Sequence, residues 1–365
     1  MKDKKKALLF LPYLAPYRID LLNELKNYYD LTVIFLFDNA PEQNFNQEIL
    51  RKKLRVNFEI FERGFNIGVR PIRFGVVNLI IKHKPNIIFS NEYGITSLLI
   101  SFYCKLSVFN FTHIATTSDN IEILKNVKWF RKISRKLVLH TTIGIIVYTK
   151  EVGDWYKTKF PKLVIRICPN IQNPTSILLN EKQCQKLKKK LIDNNSLTDK
   201  KNILYVGRLH PSKGLDILFE VLKDFKESSY RLILVGQGPD YNFLKDLSIK
   251  LGIEKKVIFA GRFEDEELMS WYKLADFLIL PSVFEPFGAV VNEALINGCP
   301  VLCSKYCGAK IFIKNGVNGF VFNPKNKKEY LDLLTKMFHK SKEIKSNYNL
   351  MNYSFKNSVA QYCFD

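Results

Sequence analysis

The sequence predicts an α/β protein of two domains, each a parallel β-sheet covered by helices. Short apolar runs alternate with longer amphipathic segments along both halves of the chain, which is the pattern of repeated β-α units. The chain has 365 residues, which suits two domains of ordinary size, and its 47% hydrophobic residues supply material for two cores. A turn-rich stretch, Cys168–Pro174, predicts the boundary, so we expect a first domain over residues 1–170.

In the first half, short apolar runs mark the strands of the expected first sheet. The longest apolar region, Ile95–Ala115, contains Lys105, Asn110 and His113 and reads as a buried helix followed by a strand. The alternative is a segment that dips into a membrane interface. The candidate strands are Ala7–Leu11, Leu31–Phe37, Ile87–Ser90, Phe111–Thr116, Gly144–Tyr148 and Leu163–Ile167.

In the second half, four successive strands end in residues suited to a phosphate-bearing ligand. Ligands of open α/β sheets bind at the carboxyl ends of the strands. Any one glycine-containing turn is an ordinary loop, but four on one edge favour a nucleotide site. The strand ends are Gly207-Arg208, Gly236-Gln237-Gly238-Pro239, Gly261-Arg262-Phe263 and the loop from Pro281 to Gly288.

The stretch from Glu285 to Glu293 places two carboxylates eight positions apart across the junction of a loop and a helix. The apolar spacing from Gly288 to Ile296 predicts the helix, with Glu293 about two turns in. Backbone N–H groups at a helix start can hold phosphate. A nucleotide sugar needs this arrangement: N–H groups for the diphosphate, one acid for sugar hydroxyls and another for ribose hydroxyls.

Sugar transfer from such a donor expels a diphosphate, so the site must stabilise growing negative charge with cations and N–H dipoles. Arg208 and Lys213 lie between a strand end and a helix and are the candidate cations. Gly288, Ala289 and Val290 are the candidate backbone donors. The chain contains no Asp-x-Asp motif, which favours a mechanism without a metal ion or other cofactor.

These motifs resemble those of the retaining glycosyltransferases of family 4, which have the GT-B fold. The resemblance is strong over residues 200–323, whereas the N-terminal half contributes mainly its order of elements and a Pro-Tyr-Arg turn, Pro16-Tyr17-Arg18, after the first strand. It implies two Rossmann-like parallel-sheet domains facing across a cleft. The second would cover residues 171–345, and a helix within residues 346–365 would cross back to the first. The motifs that carry the resemblance are Gly207-Arg208-Leu209, Lys213-Gly214, Gly236-Gln237-Gly238-Pro239, Gly261, Glu285-Pro286-Phe287-Gly288 with Glu293, and Asn315–Phe320.

The resemblance also implies roles for individual residues. Transfer would retain the configuration at the anomeric carbon, with Glu285 bonded to the donor sugar and Glu293 to the ribose. Arg262 and Phe263 would lie near the base of a donor that is UDP- or GDP-linked. The remaining donor-side candidates are Gly207, Gly236, Gly238 and Phe287.

Acceptor-side candidates come from the first half. Asp119 follows a strand and lies where ligands bind, so it is a catalytic candidate. His113 falls early in the same strand and is more typical of a hydrogen-bonded core histidine. Glu92 is equally an acceptor contact or an acid complementing a helix N-terminus. The full set of acceptor-side candidates is Tyr17, Arg18, Asn91, Glu92 and His113.

The formal net charge is +21, and the excess is largest in the first half: residues 1–170 carry 27 Lys and Arg against 14 Asp and Glu. A basic face of this kind attracts anionic lipid head groups. The alternative is a set of solvated lysine-rich faces without a partner. Nucleic acid is not expected as a partner, because no helix-turn-helix, finger or RNA-binding signature is present.

No apolar segment is long enough to predict a membrane span, and Met1–Lys6 leads into a strand without a signal-type cleavage site. Seven scattered cysteines also fit a cytoplasmic protein, and the basic charge is consistent with peripheral binding to the inner face of the membrane. Cys299, Cys303 and Cys307 are regularly spaced but lack a histidine partner, so buried thiols are expected rather than a metal site.

The sequence therefore predicts a glycosyltransferase that moves a sugar from a nucleotide donor to a glycan or lipid-linked saccharide, as in polysaccharide or lipopolysaccharide assembly. Within enzymes, a sugar-nucleotide epimerase or a phosphorylase on the same fold is the alternative, although no signature for a lysine-held pyridoxal phosphate is present. From another class, the alternative is a non-catalytic nucleotide- or nucleic-acid-binding protein.

Overall fold

The computed structural model describes residues 4–40, 45–68, 70–178, 180–195, 199–346 and 348–364. They form two compact units. The first comprises the described residues up to Ile171 and those from Ser354 onward, and the second comprises the described residues of Gln172–Tyr353. The sequence places these divisions at residues 170 and 345 instead. The second division lies later because Leu350 still donates its N–H to the carbonyl of Leu295 and so stays with the second unit.

The first unit is built on a parallel sheet. Among the described residues, seven strands form it in the order β3-β2-β1-β6-β7-β8-β9, and a separate antiparallel hairpin pairs β4 with β5. The strands are β1 (Lys6–Leu11), β2 (Asp30–Phe35), β3 (Asn57–Ile60), β4 (Gly64–Ile67), β5 (Arg70–Arg73), β6 (Ile87–Asn91), β7 (Thr112–Thr116), β8 (Gly144–Val147) and β9 (Val164–Ile167).

Helices cover this sheet because its central strands are apolar on both faces. All five residues of β1 from Ala7 to Leu11 are buried, which is typical of a strand with helices on both sides. A short 3₁₀ turn, Pro16–Arg18, follows β1. The helices of this part of the chain are α1 (Ile19–Leu25), α2 (Gln47–Lys53), α3 (Val76–His83), α4 (Ile95–Lys105), α5 (Ile121–Lys125), α6 (Trp129–Leu139) and α7 (Lys150–Lys159).

The second unit repeats the plan with a smaller sheet. Its described strands run in the order β12-β11-β10-β13-β14-β15, and every pair is parallel. The strands are β10 (Lys201–Val206), β11 (Tyr230–Val235), β12 (Val257–Gly261), β13 (Phe277–Leu280), β14 (Val301–Ser304) and β15 (Gly319–Phe322). The helices are α8 (Pro174–Leu178), α9 (Glu181–Asn195), α10 (Leu215–Asp224), α11 (Tyr241–Lys250), α12 (Asp265–Leu274), α13 (Ala289–Ile296) and α14 (Lys327–Ile344).

The C-terminal segment belongs to the first unit. It forms a short helix, α15 (Phe355–Val359), and a 3₁₀ turn, Ala360–Tyr362. The hydroxyl of Tyr29 donates to the carbonyl of Tyr362 at 2.9 Å, and the Tyr362 ring packs 5.5 Å from that of Phe89 on β6. Burial of these rings, together with Phe364 beside β8, anchors the returning chain.

Strand order identifies the edge of each sheet where a ligand can bind. In the second sheet, β10 lies between β11 and β13, so the chain reverses its direction of winding there. Loops leaving β10 and β13 therefore diverge to opposite faces and leave a crevice at the carboxyl ends. In the first sheet, β1 holds the same position between β2 and β6. The predicted α/β class with two parallel sheets is confirmed.

The strands predicted from apolar runs are present with shifts of one or two residues at their ends. The sequence does not predict β3 or the β4–β5 hairpin, because these short strands are half-buried or exposed and lack an apolar run. One detail of the prediction is wrong: α13 begins at Ala289, so Glu293 lies about one turn into the helix rather than two.

Candidate active site

The loop after β10 carries the two candidate cations. His210 caps a 3₁₀ turn, Pro211–Lys213, by accepting the N–H of Ser212 at Nδ1 at 3.2 Å. Gly214 ends the turn in the left-handed region, with φ of 63°, and α10 begins directly after it. This compact turn fixes where Arg208 and Lys213 leave the backbone, and both side chains are half-buried at the carboxyl edge of the sheet.

Glycines in the next loop let the strand ends touch. A Cβ atom on Gly236 would lie 1.9 Å from the carbonyl oxygen of Gly207, and one on Gly238 would lie 2.1 Å from that of Leu209. The N–H of Leu209 donates to the carbonyl of Gln237 at 3.0 Å, which ties the two loops together. The structure thus gives Gly236 and Gly238 a packing role beneath the Arg208 loop.

The loops after β10 and β13 are joined in the same way. A Cβ atom on Gly214 would lie 2.6 Å from the carbonyl oxygen of Pro281. The carbonyl of Ser212 accepts the N–H groups of both Val283 and Phe284, at 3.0 and 3.2 Å. These bonds hold the Lys213 turn against the segment that leads to Glu285.

As a result, Lys213 and Glu285 form an ion pair. Lys213 Nζ lies 2.5 Å from Glu285 Oε2, with 19% and 13% of the two side chains exposed. The pair is largely desolvated yet remains reachable from solvent, unlike a bridge between fully exposed side chains. The structure brings together two site residues that are 72 positions apart in the sequence.

A third loop supports Glu285 from behind, and its role was not predicted. Glu285 forms a parallel bridge with Cys307, and the N–H of Ala309 donates to the carbonyl of Phe287 at 2.7 Å. A Cβ atom on Gly308 would lie 2.4 Å from the carbonyl oxygen of Pro286. The residues of this loop, Cys307-Gly308-Ala309, form an ordinary turn after β14, and their sequence alone does not predict contact with the Glu285 segment.

The start of α13 is the open end of a buried helix. Gly288 takes a φ of 91° and turns the chain into the helix, and a Cβ atom there would lie 2.7 Å from Cys307 Sγ. Ala289 and Val290 are half-buried, while Val291–Ile296 are buried. The first N–H groups of an α-helix have no partner within the helix, so this end can donate to an anion.

Glu293 lies deeper than Glu285. Only 8% of the residue is exposed, and its carboxylate accepts from Tyr272 Oη at 2.8 Å and Gln172 Nε2 at 3.1 Å. Burial raises the pKa of Glu293, while the two hydrogen bonds oppose that shift. Asn292 accepts the backbone N–H of Gln172 at 2.8 Å. The sequence gives no sign that Gln172 and Tyr272 hold this carboxylate.

The remaining donor-side candidates differ in exposure. Phe287 is buried and packs edge-on against Phe312 at 5.7 Å. Phe263 contacts Trp271 at 5.6 Å, and Arg262 pairs with Glu264 just beyond the end of β12. Arg262 and Phe263 therefore stay at the predicted edge, whereas the Phe287 side chain packs into the interior.

In the first unit, Asp119 is sealed from solvent. Its side chain is fully buried, Arg131 Nη2 donates to Oδ1 at 2.8 Å, and Tyr156 Oη donates to Oδ2 at 2.5 Å. Arg135 Nη2 lies 3.5 Å from Oδ2. Asp119 follows its strand as predicted, but this pairing directs its carboxylate into the domain instead of the crevice.

Glu92 takes part in the same network. It has a left-handed φ of 60° directly after β6, and it accepts from Arg131 at 2.7 Å and from both the N–H and the hydroxyl of Ser118 at 2.7 Å. Asn91 accepts from the Thr116 hydroxyl at 3.3 Å. Glu92 therefore links the loops after β6 and β7. The sequence offered two hypotheses for this residue, an acceptor contact and an acid at a helix N-terminus, and neither predicts this link.

His113 is a core residue. It is 1% exposed, its Nε2 lies 2.8 Å from the Ser90 hydroxyl, and its Nδ1 lies 3.4 Å from Thr141 Oγ1. Burial lowers the pKa of His113 to about 3, so the ring is neutral at physiological pH. The side chain lies in the sheet rather than at its carboxyl edge.

Tyr17 and Arg18 lie at the carboxyl end of β1, where the first sheet changes its winding direction. Arg18 Nη1 is buried and has no hydrogen-bond partner among the described residues. The main electrostatic neighbours of this guanidinium are tyrosines: Tyr13, Tyr17, Tyr148 and Tyr362. A cation beside phenols instead of carboxylates is suited to an anionic ligand.

No group of His, Cys, Asp and Glu in the described part of the chain is arranged to hold a metal ion. Cys299, Cys303 and Cys307 are buried free thiols, as the sequence predicts. Burial raises the pKa of Cys299 to about 12, so this sulfur is a protonated packing group.

The family model of the glycosyl transferases group 1 matches residues 187–355, almost all of which lie in the second unit. The second unit is therefore similar to the glycosyl transferases group 1 domain. This confirms the predicted resemblance at the level of that group, while the assignment to retaining family-4 enzymes stays a prediction.

Two curated relatives illustrate the match. An uncharacterized glycosyltransferase of Methanocaldococcus jannaschii is 40% identical over 129 residues, which cover 35% of this chain and 33% of that protein. The lipopolysaccharide 1,2-N-acetylglucosaminetransferase of Salmonella typhimurium is 27% identical over 236 residues, which cover 57% of this chain and 60% of that protein. The chain thus spans between a third and three fifths of the length of these relatives.

Solved structures extend the likeness to both units. The crystal structure of Anabaena HepE in complex with UDP covers 98% of this chain and 93% of its own, with a TM-score of 0.73 at 18% identity. At this identity the likeness concerns the fold, and it confirms two Rossmann-like parallel-sheet domains of the GT-B class.

We predict that Gly236→Ala destabilises the second unit more than Gly252→Ala, by roughly 1–3 kcal/mol, because only the first adds an overpacking clash. Both glycines have positive φ, of 148° and 66°, but a Cβ atom at Gly252 meets no atom within 4 Å. Urea denaturation of the two variants measures the difference. Equal losses would show that the two loops separate easily and that their packing does not position Arg208.

We also predict that His113→Gln flattens the pH dependence of stability. The folded pKa of about 3 lies below the unfolded value of about 6.5, so only the unfolded state gains a proton between them. This contribution is therefore present above pH 6.5 and is lost as pH falls, by as much as ~5 kcal/mol. Thermal midpoints from pH 7 to pH 4 test it, with exposed His140→Gln as the control. A wild-type slope in His113→Gln would refute the buried neutral state.

Proposed function

We propose that the protein is a retaining glycosyltransferase that moves a sugar from a nucleoside-diphosphate donor to a glycan or lipid-linked saccharide. The observation that carries the proposal is the Lys213–Glu285 pair, held at the winding reversal of the second sheet. Arg208 lies on the same loop as Lys213, and the open start of α13 follows Glu285 by four residues. Cations, a carboxylate and N–H donors thus converge on one edge.

The leaving diphosphate is the group that this edge suits best. An ammonium has three N–H donors, so Lys213 can keep its bond to Glu285 and still donate to a phosphate oxygen. Arg208 would add a second cation, and the N–H groups of Ala289 and Val290 would donate along the helix axis. Charge that develops on the phosphate as the anomeric C–O bond breaks would meet preorganised donors.

Glu285 has the remaining role at the donor sugar. Its bond to Lys213 holds the carboxylate in a fixed orientation, ready to accept from sugar hydroxyls. Such bonds accelerate the reaction when they strengthen as the ring gains positive charge. In a retaining front-face transfer, the acceptor oxygen bonds to the anomeric carbon and its proton passes to the departing phosphate oxygen. No separate base is needed.

Glu293 and the β12 end complete the donor site in this proposal. Each carboxylate oxygen can accept a further hydrogen bond beside those from Tyr272 and Gln172, so Glu293 is able to bind ribose hydroxyls. Arg262 and Phe263 would border the base. We propose a uridine or guanosine diphosphate sugar bound without a metal ion. The UDP complex of the HepE structure makes uridine the first base to test.

The acceptor assignment rests on the first unit. Arg18 and its tyrosine neighbours would hold an anionic group of the acceptor, such as the phosphate of a lipid-linked saccharide. The name of the Salmonella relative places that enzyme in lipopolysaccharide synthesis, which supports a related class of acceptor here. We place the reaction at the cytoplasmic face of a membrane.

The donor site is tested by kinetics and nucleotide binding with EDTA present. Arg208→Ala and Lys213→Ala should each cost roughly 2–4 kcal/mol of transition-state stabilisation, and Glu285→Gln should mainly lower kcat. Nucleotide binding is a second test of the donor site: one of UDP, GDP, ADP and CMP at 100 times its Kd should stabilise the wild type by about 2.7 kcal/mol.

For the kinetic test of the cation variants, exposed Lys250→Ala is the matched control. Unchanged turnover in both cation variants would refute this placement of the diphosphate.

The acceptor site has a separate test. Arg18→Gln should raise KM for a phosphate-bearing acceptor by about 10- to 100-fold, because a hydrogen bond to a charged group contributes about 1.5–3 kcal/mol. Hydrolysis of the donor in the absence of acceptor should not change. Exposed Arg55→Gln provides the control. An unaltered KM in Arg18→Gln would contradict the assignment and leave the donor site untouched.

A further inference from the structure

Helix α6 buries arginines beside Val138 and Leu139 and also turns a row of apolar side chains to solvent. Arg131 and Arg135 point into the domain, and Arg135 is only 3% exposed. The opposite face presents Trp129, Ile133 and Leu137 to solvent, with 73%, 52% and 54% of these residues exposed. A surface helix normally turns its apolar stripe to the core. Here the apolar stripe at i, i+4 and i+8 faces outward.

Buried carboxylates fix this orientation. Arg131 donates to both Glu92 and Asp119, and Arg135 lies between Asp119 and the rings of Tyr93 and Trp155, at 5.4 and 5.2 Å. Rotating the helix to hide its apolar stripe would leave the buried Asp119 without these cations. An unpaired buried charge costs several kcal/mol, so the ion pairs keep the apolar side chains outside.

The exposed apolar surface extends beyond α6. Arg70 on β5 stacks over the ring of Phe130 at 5.0 Å, and α4 contacts both α6 and β5. We call this surface the apolar face of the first unit, and we define it by its exposed side chains. They are Trp129, Phe130, Ile133 and Leu137 on α6. Further exposed apolar side chains lie on the adjoining elements: Phe65, Ile67 and Phe74 around the hairpin, and Phe102, Leu106 and Val108 at the end of α4.

Most of the exposed charged residues on α6 and the adjoining segments are cations. Glu62 is an exposed acid among them, and Glu122 nearby is paired with Lys125 at 3.7 Å. Positive charge therefore predominates. The exposed cations are Arg63, Arg70, Lys105, Lys125, Lys128, Lys132 and Lys136.

We propose that the apolar face lies on an anionic lipid bilayer, with Trp129, Ile133 and Leu137 inserted below the head groups. Tryptophan and phenylalanine with lysines beside them is the composition of an interfacial helix. Lysine stems can lie along the apolar surface while their ammonium groups reach lipid phosphates. A protein partner would need a complementary acidic rim, whereas an anionic bilayer supplies that charge everywhere. The proposal rests on this surface alone and does not depend on the donor site.

None of the described helices is both long and apolar enough to cross a bilayer. The α6 helix has 11 residues and would extend about 16 Å along the membrane plane. A helix of this length suits a position in the membrane interface, because the row of exposed apolar side chains on α6 runs along more than two of its turns.

Trp129 supplies the readout. It is the exposed tryptophan, since Trp155 is half-buried and Trp271 is buried. Vesicles of phosphatidylglycerol and phosphatidylethanolamine should shift the fluorescence of the full chain to the blue. Trp129→Phe should abolish that shift and still co-sediment with the vesicles. A fluorescence shift that persists in Trp129→Phe would overturn the proposed insertion.

Paired variants test the surface itself. Ile133→Ser with Leu137→Ser should weaken vesicle binding roughly tenfold or more, because two inserted aliphatic side chains are lost. The control is Phe243→Ser with Ile249→Ser on α11, which removes two equally exposed apolar side chains in the second unit and should change binding less than twofold. Equal losses in both pairs, or no loss in the α6 pair, would overturn the proposal.

The charge requirement is tested separately. Lys132→Glu with Lys136→Glu should reduce binding about tenfold or more, whereas exposed Lys245→Glu with Lys250→Glu on α11 should not. Binding should fall with added salt and be weak on phosphatidylcholine alone. Equal binding to phosphatidylcholine, or dimerisation through this face without vesicles, would overturn the proposal. Vesicle binding needs no nucleotide, so the vesicle experiment tests the membrane proposal even if the donor assay fails.

Discussion

The candidate donor site depends on the absence of side chains where loops meet at the carboxyl edge of the second sheet. Gly236 and Gly238 admit the backbone of the Arg208 loop, and Gly214 admits the end of β13. Each contact brings carbonyl oxygens to within about 2–3 Å of the position that a Cβ atom would take. Because backbone contacts are rigid, they set the spacing between Lys213 and Glu285 more firmly than flexible side chains could. The glycines therefore contribute to the site by allowing close contacts between its loops.

The three carboxylates that the sequence predicts as ligand contacts, Glu285, Glu293 and Asp119, differ in how deeply they are buried. Glu285 pairs with Lys213 and remains partly exposed, so it can exchange or share bonds with a ligand. Glu293 is enclosed by Tyr272 and Gln172, and burial raises its pKa, so its carboxylate is far less open to a ligand than that of Glu285. Asp119 is closed completely by arginines and a tyrosine. Position at a strand end is therefore necessary for a ligand contact but does not ensure one.

Much of this fold could be predicted because its sheets are parallel and buried. Strands such as β10 and β11 are continuous apolar runs, which periodicity detects without knowledge of their neighbours. The β4–β5 hairpin leaves no such run, and the bonds from Ser212 and Cys307 that join distant loops have no local signal. Motifs predicted that Arg208, Lys213 and Glu285 would lie at the carboxyl edge of the second sheet, because each motif directly follows a strand. Pairings such as that of Lys213 with Glu285 depend on the order of the strands in the sheet, and the apolar pattern of the sequence does not predict that order.

The orientation of α6 shows the same limit in one helix. Its sequence has an apolar row, Trp129-Ile133-Leu137, and a second row that contains Arg131 and Arg135. Burial of the first row would favour turning it inward, whereas burial of Val138 and Leu139 favours the observed orientation. The carboxylates of Glu92 and Asp119 add to that preference, because they are inside and need cations. Two acids from the loops after β6 and β7 thus help to leave a tryptophan and a row of aliphatic side chains on the surface of the first unit. The cost of exposing that row to water is recovered only where water is replaced by an apolar phase, which is the physical basis for placing this face on a membrane.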